Sequence, residues 1–129
     1  MAIKHTILTT IKNDAGANVI ADTEILTADA ESNFSVSAAG SNAVTTVDLV
    51  VTVADIQSFF VESSQAVDLK TYSGVTLKQT IPLAAKKAFA WNANDTVNVN
   101  PLTDDFDSLT ITNAGTTTAT VVGGFLLNL

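Results

Sequence analysis

The sequence predicts an all-β protein: a single antiparallel β-sandwich domain over residues 1–129, with about eight to ten short strands. Three observations predict it. Short segments in which apolar and polar residues alternate recur along the chain, the period-two pattern of strands with one buried face. Clusters of Gly, Asn, Asp and Ser separate them at roughly the 8 to 12 residue spacing of sandwich and barrel proteins. Thr and Val are abundant, and helical periodicity is nowhere sustained.

Ile3 to Lys12 is the first expected strand, with Asn13-Asp14-Ala15-Gly16 as its turn, and Asn18 to Thr27 resumes the extended pattern. Ala28 to Asn33 is small and polar and reads as a loop. Phe34, Val36 and Ala38 alternate with Ser35 and Ser37, and Gly40-Ser41-Asn42 closes that strand. Val44 to Val53 is the most β-prone stretch. Val47, Leu49, Val51 and Val53 share one face, and Val50 adds an apolar residue beside Asp48 and Thr52, so a central strand is expected.

Ser58 to Glu62 forms the next strand. Val67, Leu69 and Thr71 then alternate with Asp68 and Lys70 up to Ser73-Gly74. Val75, Leu77, Gln79 and Ile81 make a further face, which Pro82 is expected to end. Ala84 to Lys87 is a connector, and Ala88 to Trp91 a short aromatic strand. Asn92-Ala93-Asn94-Asp95 is a turn, and Val97 and Val99 mark another short strand before Asn100-Pro101.

Phe106 to Leu129 reads as a hairpin. Leu109 and Ile111 form one buried face, Asn113-Ala114-Gly115 the turn, and Ala119, Val121, Phe125, Leu127 and Leu129 the second buried face. Val44–Val53 and Val67–Ile81 are expected to supply the facing sheet. Gly123-Gly124 permits a bulge or a close backbone approach. The nearly uncharged end, Phe125 to Leu129, is either a central buried strand or a subunit contact.

Composition narrows the function. With 47% hydrophobic and 15% charged residues, the 129-residue chain can bury a substantial core. Mean hydropathy is +0.32, yet no apolar run approaches the roughly 18 to 20 residues of a spanning helix. A membrane role is not expected. Net charge is −7 and arginine is absent, which argues against direct nucleic-acid binding, since that leans on Lys and Arg to neutralise phosphates. Without cysteine there is no disulfide framework. The start, MAIKHTILTTIKND, lacks the pattern of a signal peptide, so synthesis in a cytosol is expected.

No catalytic set can be assembled, and no cofactor is expected. His5 is the sole histidine and no Gly-x-Ser-x-Gly elbow accompanies it. One His and no Cys cannot make the usual zinc site. Asp104-Asp105-Phe106-Asp107 and Asn92–Asp95 are oxygen-rich, but neither fits an EF-hand loop, and Asn and Asp are ordinary turn formers. Glu24, Glu31 and Glu62 each lie among polar neighbours, unlike the buried acid of a glycosidase. Trp91 and Tyr72 are candidates for a sugar-binding platform, against which stands a core position for Trp91.

Some apolar residues point to assembly. Phe59 and Phe60 are adjacent in a strand and so face opposite ways; the strand is covered on both sides, or one ring meets a neighbouring subunit. Phe125, Leu127 and Leu129 are interface candidates on the same reasoning. Lys86-Lys87 would suit an acidic partner surface, or is simply a solvated loop.

The segments VESSQAVDLKTYS, TLKQTIPLAAKKAFAWNAND and DSLTITNAGTTTATVVGGFLLN resemble small β-sandwich virion proteins of tailed bacteriophages, the head decoration or cement proteins. The likeness covers roughly the C-terminal half and lies in segment order: an exposed strand, a Lys-bearing loop, an aromatic strand ending in Trp91, then Thr-Asn-Ala-Gly. It implies a jelly-roll-like sandwich, a homotrimer or other cyclic oligomer on the outer capsid surface, and the major capsid protein as partner. It also implies an extended N-terminal arm, for which Met1 to Thr6 is the candidate. A carbohydrate-binding or adhesin module of a phage tail or cell surface is the alternative.

Overall fold

A computed structural model describes residues 3–12, 18–28 and 30–129, with side chains described for Ala28 and from Ala30 onward. The described residues form ten β-strands and one 3-10 turn, Val53–Asp55. The strands are β1 (Ile3–Lys12), β2 (Asn18–Ala28), β3 (Ala30–Ala38), β4 (Ala43–Val51), β5 (Ile56–Ser63), β6 (Val67–Ser73), β7 (Thr76–Leu83), β8 (Phe89–Asn92), β9 (Phe106–Asn113) and β10 (Ala119–Leu127).

β1 and β2 pair with each other as a two-stranded sheet. The other eight strands form two four-stranded sheets, ordered β3-β10-β5-β8 and β4-β9-β6-β7. Every pairing is antiparallel. From β3 to β10 the chain changes sheet at every connection except β6 to β7. That winding is the eight-stranded jelly roll.

Alternation decides the core. Val61, Phe59, Val121 and Phe125 from one sheet meet Val51, Leu69, Leu109 and Ile111 from the other, all buried. Four phenylalanines bridge the layers. Phe59 lies 5.0 Å from Phe89 and 5.7 Å from Phe125 between ring centroids, and Phe125 lies 6.1 Å from Phe106 on the facing sheet. Such offset and edge contacts favour aromatic pairs beyond their buried area.

The expected hairpin over Phe106–Leu129 is not formed. β9 joins one sheet, between β4 and β6, and β10 joins the other, between β3 and β5. Both strands carry an inward apolar face, and facing each other across the sandwich buries both. The expected facing strands are present, since β4, β6 and β7 lie opposite β10, but they share their sheet with β9.

Further expectations are corrected. Residues 30–33 are not a loop: β3 already begins at Ala30 and pairs with the end of β10 through Phe125↔Ser32 and Leu127↔Ala30. β4 is an edge strand, not a central one, and leaves Val44 62% and Val50 74% exposed. Pro82 lies inside β7, which it does not end; β7 is also an edge strand, where a missing N–H donor breaks no ladder bond. Val97 and Val99 form no strand and belong to the loop between β8 and β9. Of the arm candidate Met1 to Thr6, Ile3 to Thr6 lie in β1 and pair with Ile25 to Ala28. Met1, Ala2 and the turn at Asn13–Gly16 lie outside the described residues, as does the side chain of His5.

Two glycines mark close approaches. At Gly123 a Cβ would stand 2.4 Å from the Phe34 ring of the neighbouring strand, so the missing side chain makes room for that ring. At Gly40, before β4, a Cβ would stand 2.5 Å from the Gly115 carbonyl oxygen. Here two sheet-crossing connections, 39–42 and 114–118, lie against each other. Ser41 N–H donates to the Gly115 carbonyl at 2.7 Å, and Asn42 N–H to the Asn113 carbonyl at 2.9 Å. The left-handed residues of this corner are Ser41 and Asn42, with φ of 62° and 64°.

Candidate functional surface

Because antiparallel strands alternate in direction, the connections β4–β5, β6–β7 and β8–β9 emerge at one end of the sandwich. The aspartates singled out in the sequence collect at that end and hold its backbone. Asp105 Oδ1 accepts from Val53 N–H at 2.8 Å, and the Asp107 carboxylate accepts from Gly74 N–H at 3.1 and 3.0 Å. Gly74 turns the chain at φ +60° between β6 and β7, so Asp107 holds that turn. Asp104 accepts from the Thr103 hydroxyl at 2.9 Å. Asp105 and Asp107 thus tie the start of β9 to the β4–β5 and β6–β7 connections, whereas the Asp104 bond is local.

The β8–β9 loop is built in the same way. Asn92 Oδ1 accepts from Asn94 N–H at 3.0 Å. Asp95 Oδ1 accepts from Val97 N–H at 2.9 Å and Asn98 N–H at 2.8 Å, while its Oδ2 accepts from Asn98 Nδ2 at 3.0 Å. Trp91 Nε1 donates to the Asn98 carbonyl at 3.0 Å. Farther on, the Gln79 side chain donates to the Pro101 carbonyl and accepts from Thr103 N–H, both at 3.0 Å. What reads as a turn cluster followed by a strand is a braced loop presenting Val97 and Val99, 88% and 86% exposed.

The Asn98 backbone N–H, then the Asn98 side chain and the Val97 N–H, hold the Asp95 carboxyl below its ordinary value of 3.8. A carboxylate favoured by folding contributes its stability above the unfolded value and loses it as pH falls through the lowered folded value. The loop is therefore expected to keep its bracing at pH 3.8 and to loosen only in stronger acid. Backbone amide shifts of Val97 and Asn98, followed by NMR against pH, test this. Titration of both amides at or above 3.8 would refute it, and Asp95→Ala should abolish the transition.

The other candidates are dispersed. Trp91 sits on β8 with its ring packed against the core, whereas Tyr72 lies on β6 in the opposite sheet. The two do not form a platform. Phe59 is buried and Phe60, on the outer face, is 42% exposed. On that same outer face Leu126 and its partner Ser58 are buried, so the sheet is covered on both sides there. Phe125 and Leu127 belong to the chain's own core, which removes them from a subunit contact, while Leu129 is 78% exposed. Lys86 and Lys87 are exposed on the β7–β8 connection, at the opposite end from the aspartates. Lys86 is left-handed, with φ 59°, and its N–H donates to the Ser63 carbonyl at 2.7 Å.

Among the described residues no three of His, Cys, Asp and Glu come together as metal ligands would. A shallow depression between the ends of β6, β7 and β9 is lined mainly by Val67, Pro82, Leu83 and Thr112, with Asp68 as its one charged group. No described helix is long and apolar enough to cross a membrane.

Comparison with protein-family models, with curated proteins and with solved structures gives no match. The chain is defined by its own architecture: an eight-stranded jelly roll with a carboxylate-braced loop end.

Proposed function

We propose that this chain is a structural protein of a phage virion, a decoration or cement protein that binds the outside of the assembled capsid and stabilises it without catalysis. The observation that carries this reading is the eight-stranded jelly-roll winding, an architecture that viral capsid domains share with lectins and cupins. Fold alone does not specify function. The sequence resemblance of the C-terminal half to phage decoration proteins narrows the choice, and the braced loop end suits a protein whose work is contact.

Mass action supplies the mechanism. A protein that binds the assembled shell and not its free subunits stabilises the shell by its binding free energy. A closed trimer presents its contacts together, so avidity adds to each. The major capsid protein is the proposed partner, and the capsid surface the proposed location.

Two measurements test the reading. Sedimentation equilibrium should give three times the 13.4 kDa chain mass. The purified protein should cosediment with expanded heads of its phage from which it has been stripped, and should raise the temperature at which they disrupt. A protein that stays monomeric and leaves both properties of the heads unchanged is not a decoration protein.

A further inference from the structure

We propose that the β8–β9 loop is the element that contacts the shell, with Val97 and Val99 entering an apolar recess rimmed by lysine and arginine. This rests on the capsid-binding reading above and names the contact within it. Two independent observations point to the loop.

First, its two valines are among the most exposed large apolar side chains of the described residues, at 88% and 86%. Scattered exposed apolar residues are ordinary, but these are held out by a rigid support. Asp95 closes on Val97 and Asn98, Trp91 anchors Asn98 from the core side, and Gln79 clamps the chain again at Pro101 and Thr103. A loop fixed in one conformation before binding loses little entropy on docking. An unbraced loop of this length would have to order itself first.

Second, the charges around the loop are predominantly negative. Asp95, Asp104, Asp105 and Asp107 lie on the loop or at its foot. In β3 to β10 the only lysine at this end is Lys78, since Lys70 lies mid-strand and Lys86 and Lys87 belong to the other end. Such a rim repels acidic surfaces and steers toward basic ones. An apolar recess bordered by Lys and Arg is complementary in both respects.

The test is cosedimentation of wild type and the double variant Val97→Ser, Val99→Ser with stripped expanded heads, at low and high sodium chloride. Both side chains are exposed, so the variant should retain its melting temperature and oligomer mass while binding heads roughly tenfold or more weakly. Asp95→Ala should also weaken binding, with Val97 and Val99 intact. Wild-type affinity should fall as salt rises. Equal head binding by wild type and double variant would overturn the loop assignment and leave the capsid reading standing. Failure of the wild type to bind heads would overturn both. A double variant that falls from oligomer to monomer would make the loop a contact between copies of this chain, and salt-independent binding would overturn the basic rim.

Discussion

Replacing Phe125 by alanine is expected to destabilise the protein by about 3 to 5 kcal/mol, the usual cost of emptying a buried aromatic site. Phe125 is 1% exposed on a central strand, and its ring touches Phe59 within its own sheet and Phe106 on the other. Removing it opens a cavity where the two layers meet, with neighbours pinned by strands on both sides. A domain of this size has about 5 to 15 kcal/mol in total, so much of the margin goes with one side chain. Urea unfolding followed by the emission of Trp91 measures the change. Val122→Ala, on the outer face of the same strand and 37% exposed, is the control and should cost under about 1 kcal/mol. Equal small losses for both variants would contradict the described core. Deleting Phe125–Leu129 removes the same contacts and part of the β10 ladder with both neighbours, and should leave no folded monomer.

The second large effect is expected at Gly40. An alanine Cβ there would lie 2.5 Å from the Gly115 carbonyl oxygen and 2.9 Å from the Thr116 carbonyl carbon. Both atoms are backbone, so no rotamer change relieves the clash. The two connections must part, which strains the Ser41–Gly115 and Asn42–Asn113 hydrogen bonds. They also share Asn113, fully buried, whose Nδ2 donates to the Ala38 and Thr117 carbonyls at 3.1 and 2.7 Å and whose Oδ1 accepts from Gly115 N–H at 3.1 Å. Overpacking and hydrogen-bond loss together should cost about 2 to 4 kcal/mol. Gly74→Ala makes the contrast: its φ is +60°, yet nothing lies within 4 Å of the added Cβ. Only backbone strain of about 1 to 2 kcal/mol is then at stake. Thermal unfolding of the two variants should rank Gly40→Ala well below Gly74→Ala, and the reverse order would refute the packed corner.

The loop end shows how far a sequence can be read. Asn92–Asp95 and Asp104–Asp107 are legible as turn chemistry, because Asn and Asp bond nearby backbone wherever they stand. Asn92 and Asp95 do so within a few residues. Asp105 and Asp107 do something else: they reach Val53 and Gly74, 52 and 33 positions away. No local pattern marks that. Val97 and Val99 mislead for a related reason, since two valines separated by one residue fit a strand template. Asp95 captures the Val97 and Asn98 N–H groups that a ladder would need. Phe59 and Phe60 are legible as facing opposite ways, but only the packing decides that Phe59 is the core member.

By itself the sequence determined the class, most of the strands and their inward faces. Alternation is a local property, and Leu109, Ile111, Val67, Leu69, Phe34 and Val36 point inward because apolar area leaves water wherever the strand is placed. The tertiary structure alone decided which sheet each strand joined. Pairing β9 with β10 would have satisfied their backbone hydrogen bonds equally well, since any antiparallel neighbour can do so. What separates the alternatives is that β9 and β10, set in opposite sheets, close their apolar faces on each other while each pairs with two strands of its own sheet, β10 with β3 and β5 and β9 with β4 and β6. That choice also set Val44 and Val50 at an edge, buried Asn113 in a corner, and turned the longest loop outward with its valines exposed.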